Sequence, residues 1–98
     1  MVLKDIKKIM ELRKQAKDIQ AKLKKIHIEA EDSKGTVKIK LDAEQNVLST
    51  EIVAELGTVS KEDLQNAYVE AINKAIKKSQ EIAAENMKGI LGDLSAGM

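Results

Sequence analysis

The chain has 98 residues, 17 Lys+Arg against 16 Asp+Glu, no cysteine, no proline and a single aromatic, Tyr68. That length allows one domain, 1–98, near the lower limit for a core formed by one chain. The lack of cysteine removes disulfides, thiolate metal ligands and a cysteine nucleophile, and the charged, apolar-rich composition predicts a folded, helix-leaning protein.

The formal net charge of +1 hides a strong zonation. Residues 1–28 carry nine basic and three acidic side chains, residues 29–70 four and ten, and residues 71–98 four and three. Such asymmetry points to one segment that faces a polyanion. A solvated, merely solubilising helix face is the competing explanation.

Residues 1–26 read as a basic helix. Val2, Ile9, Ala16 and Leu23 recur every seven residues, with Leu12, Ile19 and Ile26 in the alternate apolar position and Asp5 as the one break. The spacing predicts a coiled-coil-like seam of about three heptads. All nine basic residues fall off that seam, and Lys4, Lys7, Lys14, Lys17, Lys24 and Lys25 lie along its far side.

From residue 27 to residue 54 the period changes to two, which predicts a three-stranded antiparallel meander. Its first strand is His27-Ile28-Glu29-Ala30-Glu31, with Glu29 and Glu31 facing solvent beside Asp32 at the turn Asp32-Ser33-Lys34-Gly35. The clearest strand is Thr36-Val37-Lys38-Ile39-Lys40-Leu41, with Val37, Ile39 and Leu41 on the face that needs cover. A third strand runs over 47–53.

The second helix, 60–88, begins where Ser60 can cap, Asp63 sits at the capping-box position, and Val59 and Leu64 can form a hydrophobic staple. Its apolar face runs through Leu64, Tyr68, Ala71, Ile72, Ala75, Ile76, Ile82, Ala83 and Met87. Gly89 is the expected terminator, leaving a loose tail over 89–98.

Element lengths predict association. At about 1.5 Å per residue the helices reach roughly 36 and 42 Å, whereas seven-residue strands reach about 23 Å. The sheet cannot cover both seams, so Ile9, Leu12, Ile19, Leu23, Ile72 and Ile76 are expected to fill the core and a dimer contact, and the chain to be an obligate homodimer.

Catalytic and metal chemistry find little support. His27 is the only histidine and no nucleophile elbow, phosphate loop or His-Glu-x-x-His motif is present. Residues 42–46 imitate a calcium loop, but Val47 stands at its sixth position and Val53 at its twelfth. No enzyme activity, cofactor, metal ion or small-molecule substrate is expected. No apolar run is long enough to span a bilayer, and the first residues lack the apolar core of a signal peptide.

Leu12-Arg13-Lys14-Gln15-Ala16, Gly35-Thr36-Val37-Lys38-Ile39-Lys40-Leu41 and Ala71-Ile72-Asn73-Lys74-Ala75 with Lys77-Lys78, in that order and spacing, resemble the YbaB/EbfC family of nucleoid-associated proteins. The register of Leu12-Arg13-Lys14-Gln15-Ala16 fits, and Gly35-Thr36-Val37-Lys38-Ile39-Lys40-Leu41 is similar to the family's glycine followed by a Val-Lys-Val-type strand. The likeness is strongest at Leu64, Ala71-Ile72-Asn73-Lys74-Ala75 and the basic pair Lys77-Lys78, with Glu85-Asn86-Met87 and Ala96-Gly97-Met98 in matching places. Two features depart: Asp42-Ala43 replaces an Asn-Gly-like turn, which favours a longer loop, and Val53-Ala54 replaces an Asp-Pro-like segment.

The resemblance implies an α+β fold, a homodimer of α-β-β-β-α protomers, and duplex DNA held against the helices. DNA contacts are then expected from Lys7, Arg13, Lys14, Lys17, Lys24, Lys25, Lys77 and Lys78, in a nucleoid-associated protein of the bacterial cytoplasm. Lysine supplies almost all of these cations, so phosphate contacts rather than base readout are expected. Two alternatives remain open at this point: a dimeric helical scaffold for an acidic protein partner, and attachment to anionic lipid, which the absence of Trp and Phe disfavours.

Overall fold

The first element of the computed structural model, which describes residues 3–96 and the side-chain environments of 5–88, is α1 (Leu3–Lys24). Val2, Gly97 and Met98 lie outside the described residues, as does the side chain of Lys4. The helix closes with a tightened turn, Lys25 N–H donating to the Lys22 carbonyl and Ile26 N–H to that of Leu23, each at 3.1 Å. Such i→i−3 bonds satisfy carbonyls that a helix end would otherwise leave free.

Strands β1 (His27–Glu31), β2 (Val37–Asp42) and β3 (Val47–Ile52) form one antiparallel sheet in the order β1-β2-β3. Ile28 pairs with Leu41, Ala30 with Ile39, Ile39 with Thr50 and Val37 with Ile52, so these share a face. A register irregularity lies between Lys40 and Leu41. The central strand is displaced by one residue from the sequence expectation. Thr36 precedes it, buried in the turn, and Asp42 belongs to it as the partner of His27.

Both turns are built on an aspartate. Asp32 accepts from Val37 N–H at 2.9 Å and Lys34 N–H at 3.3 Å, while Gly35 takes a φ of +66° and donates to the Asp32 carbonyl. That left-handed conformation is what a glycine supplies at no steric cost. Asp42 accepts from Glu44 N–H at 2.8 Å, Asn46 N–H at 3.0 Å and Asn46 Nδ2 at 2.9 Å. The β2–β3 connection therefore spans residues 43–46, longer than a two-residue hairpin, with Gln45 at φ +70°.

A short 3-10 turn (Leu56–Thr58) leads to α2 (Lys61–Ala96). Ser60 caps this helix as expected, its Oγ accepting from Asp63 N–H at 3.1 Å. The helix does not stop at Gly89. It continues to Ala96, so the expected loose tail is helical over most of its length. A glycine in a helix interior costs only about 1 kcal/mol. No proline follows it, and Ile90, Leu91 and Leu94 prolong the apolar spacing.

α2 lies over β1 and β2. Ala67, Ala71, Ala75 and Ser79 repeat every four residues and are buried, three of them completely, which lets the helix axis come close to the sheet. The three alanines meet Ala30, Val37, Ile39 and Leu41, with Leu64, Tyr68, Ile72 and Ile76 half-buried along the flank. A second cluster joins Leu23 of α1 to Ile28 and Ala43, flanked by Ile19, Ile26, Ile82 and Ala83. Ala43 N–H also donates to the Leu23 and Ile26 carbonyls at 3.1 Å, pinning the end of α1 to the β2–β3 turn.

The molecule is elongated, 66 × 19 × 18 Å. Because α2 covers two strands, β3 is exposed along all six of its residues. On α1, burial fades along the seam away from the sheet: Leu23 is buried, Ile19 and Leu12 are half-buried, and Ile9 is 40% exposed.

Candidate nucleic-acid interface

The cationic residues singled out in the sequence occupy two places. Lys7, Arg13, Lys14, Lys17 and Lys24 are exposed on α1 and Lys25 on the turn that follows it. Lys77 and Lys78 are exposed on α2 beyond the Ala75 contact with the sheet.

Their surroundings differ. Lys24 Nζ lies 3.9 Å from Glu44 Oε2, and Lys78 Nζ donates to the Glu29 carbonyl at 3.3 Å. Both are thus partly engaged by the protein itself. Among the described residues, Lys7, Arg13, Lys14, Lys17, Lys25 and Lys77 take part in no salt bridge. Five of those six belong to α1 and its closing turn.

Three carboxylates of the middle segment, Asp32, Asp42 and Glu70, are occupied with structure. Burial pushes the Asp32 carboxyl up, but hydrogen bonds from Val37, Thr36 and Lys34 outweigh it and hold the group below its ordinary value. Asp42 behaves alike: burial raises it, while Asn46, Glu44 and the Lys24 charge together lower it. Glu70 is lowered chiefly by Ser33, whose N–H donates to both of its oxygens at 2.7 and 3.2 Å. These three groups remain ionised at neutral pH, and each ties a turn down.

Of the neighbouring acids Glu29, Glu31 and Asp32, only the last is drawn into the protein. Glu29 and Glu31 are exposed, as alternation requires, whereas Asp32 is only 6% exposed. The signal for its role was the Asp-x-x-Gly spacing of a hydrogen-bonded turn. Asp42 repeats the device without a glycine, and nothing in its local spacing set it apart.

The calcium-like stretch 42–46 has its leading carboxylate turned onto backbone and amide N–H groups. Among the described residues, no cluster of three metal-ligating side chains occurs. No helix there is long and apolar enough to cross a membrane.

An exposed helix with one cationic face can accept a linear polyanion by phosphate contacts. Known proteins are similar to this one in sequence and in fold. Nucleoid-associated proteins are similar to the chain: one from Coxiella burnetii is 33% identical, covering 88% of this chain and 76% of its own, and one from Prochlorococcus marinus is 27% identical, covering 94% and 79%. A crystal structure of an uncharacterized protein from Helicobacter pylori superposes with a TM-score of 0.79 at 17% identity, over 93% of this chain and 98% of that one, which shows the same α-β-β-β-α fold. Residues 2–94, nearly the whole chain, match the YbaB/EbfC DNA-binding family, and the protein belongs to that family.

Proposed function

We propose that this protein is a nucleoid-associated homodimer that binds duplex DNA mainly through phosphate contacts, with little sequence specificity, on the bacterial chromosome in the cytoplasm. The observation that carries the reading is the exposed run of Lys7, Arg13, Lys14 and Lys17 on α1, free of salt bridges among the described residues. Similar proteins bear the name nucleoid-associated protein. The single aromatic, Tyr68, is half-buried on α2, which disfavours a base-stacking platform for single strands.

Dimerisation is supported by what the protomer leaves bare. The open face and edge of β3 carry Leu48 and Ile52, with Val53 and Leu56 beyond them, all at least 40% exposed. An apolar strand edge in water invites pairing with another chain. Two protomers joined there present two cationic helices to one duplex.

A mobility-shift series across salt concentrations tests the mechanism. If each protomer neutralises about four phosphates, a dimer gives a log–log slope near −7, at about −0.9 per phosphate. Reversing Lys14 and Lys17 to Glu lowers affinity by a similar factor on unrelated sequences. Binding that ignores salt, or no shift at low salt, would remove the DNA reading in favour of an acidic protein partner.

A further inference from the structure

On a helical wheel five of the eight cations of α1 fall into two rows, while Lys4, Lys8 and Lys22 lie farther round toward the seam. At about 100° per residue, Lys7 and Lys14 lie on one side and Arg13, Lys17 and Lys24 on the other, separated by a line through Met10 and Ala21. That line lies about 140° from the middle of the apolar seam, so it faces away from α2 and the sheet. Met10 is 64% exposed, well above its helix neighbours Ile6 at 45% and Ile9 at 40%. Lys7, Lys8, Met10, Glu11 and Lys14 line one shallow recess, three cations against one carboxylate. The Glu11 carboxylate lies beyond the lysine row, about 100° from Met10.

Burial in the protomer does not account for an apolar side chain there, and α1 stands clear of the sheet at this point. Its surroundings do suggest an occupant. Two cationic rows flanking one apolar line match a DNA groove, where two negative strands border a floor of base edges. A helix is about 10–12 Å across with its side chains, which fits a major groove about 12 Å wide but not a minor groove about 6 Å wide. The apolar group on the major-groove floor is the C5-methyl of thymine.

We propose that Met10 makes an apolar contact with thymine methyl groups in the major groove while the flanking lysines and Arg13 hold the phosphates. The contact rests on the DNA-binding reading above and adds a thymine preference to it. Met suits the task, because its unbranched thioether adapts to irregular apolar surfaces.

The test compares two duplexes of one mixed sequence, the second with every thymine replaced by uracil, which removes the methyl and leaves the pairing intact. The proteins are the wild-type chain, Met10→Ala and Met10→Leu, each checked for mass by light scattering. Wild type should bind the uracil duplex about fourfold more weakly for each methyl group it buries. Met10→Ala should bind both duplexes alike with an unchanged salt slope, and Met10→Leu should keep most of the discrimination. Equal wild-type binding to both duplexes overturns the Met10 contact while leaving phosphate binding intact. So does discrimination that survives in Met10→Ala, or a change of mass in that variant, which would assign Met10 to a protein interface. Wild type that binds neither duplex overturns the DNA-binding reading itself.

Discussion

Asp32 and Asp42 stand at the two ends of the central strand and hold its turns by accepting N–H donors from the residues that follow. Replacing Asp32 by Ala leaves the buried Val37 N–H without its 2.9 Å partner, a loss of about 1–3 kcal/mol, read as a lower urea midpoint at fixed protein concentration. The pH dependence has a definite sign. Asp32, Asp42 and Glu70 are all lowered on folding, from ordinary values of 3.8, 3.8 and 4.5. Their contribution is therefore present in full above those values and is lost as pH falls through the depressed ones. The urea midpoint should stay level from neutral pH into the weakly acidic range and drop below the ordinary carboxylate values. In Asp32→Ala the acid drop should be shallower. A midpoint that rises on acidification would contradict these assignments.

At the scale of elements, the decisive one is α2. Its small-residue ladder sets how close the helix lies to the sheet, and the completely buried Ala71 and Ala75 share one core cluster with Val37, Ile39 and Leu41. Ala71→Leu forces a larger side chain into that contact and should cost about 1–3 kcal/mol. Ser79→Ala should be nearly neutral, because the Ser79 hydroxyl only donates to the Ile76 carbonyl of its own helix, at 2.8 Å. Equal effects of the two changes, measured by thermal unfolding, would argue against close approach as the role of the ladder. Much of this level was legible in the residues. β1, the Ser60 cap and the start of α2 follow from alternation and capping, which act over a few positions. The continuation past Gly89 was not legible as a certainty, since one glycine is an energetic nudge that the following apolar spacing overrides.

For the whole molecule, the bare β3 is the surface on which the proposed association rests. Ile52 pairs with Val37 in the sheet register, so it shares the face that α2 covers elsewhere, yet it is 40% exposed. Ile52→Asp puts a charge into the proposed dimer contact while leaving the protomer core untouched. Light scattering should give twice the 10.8 kDa chain mass for wild type and a single chain mass for the variant. The variant's salt slope should fall to about half, since each dimer loses one of its two cationic helices. A wild-type chain that is monomeric at micromolar concentration would sink the dimer and with it the two-helix geometry.

The sequence by itself determined the order α-β-β-β-α, the zonation of charge and the cationic side of α1. Those properties rest on period, capping and composition, and each is written within a few residues. Only the tertiary structure decided which charges are free. It gave Asp32, Asp42 and Glu70 to the turns and drew Lys24 and Lys78 toward the body, while Lys7, Arg13, Lys14 and Lys17 stayed open. It also decided which apolar residues lack cover, because that depends on α2 lying over two strands of three. Packing across the sheet joins residues far apart in the chain, and no local pattern carries that information.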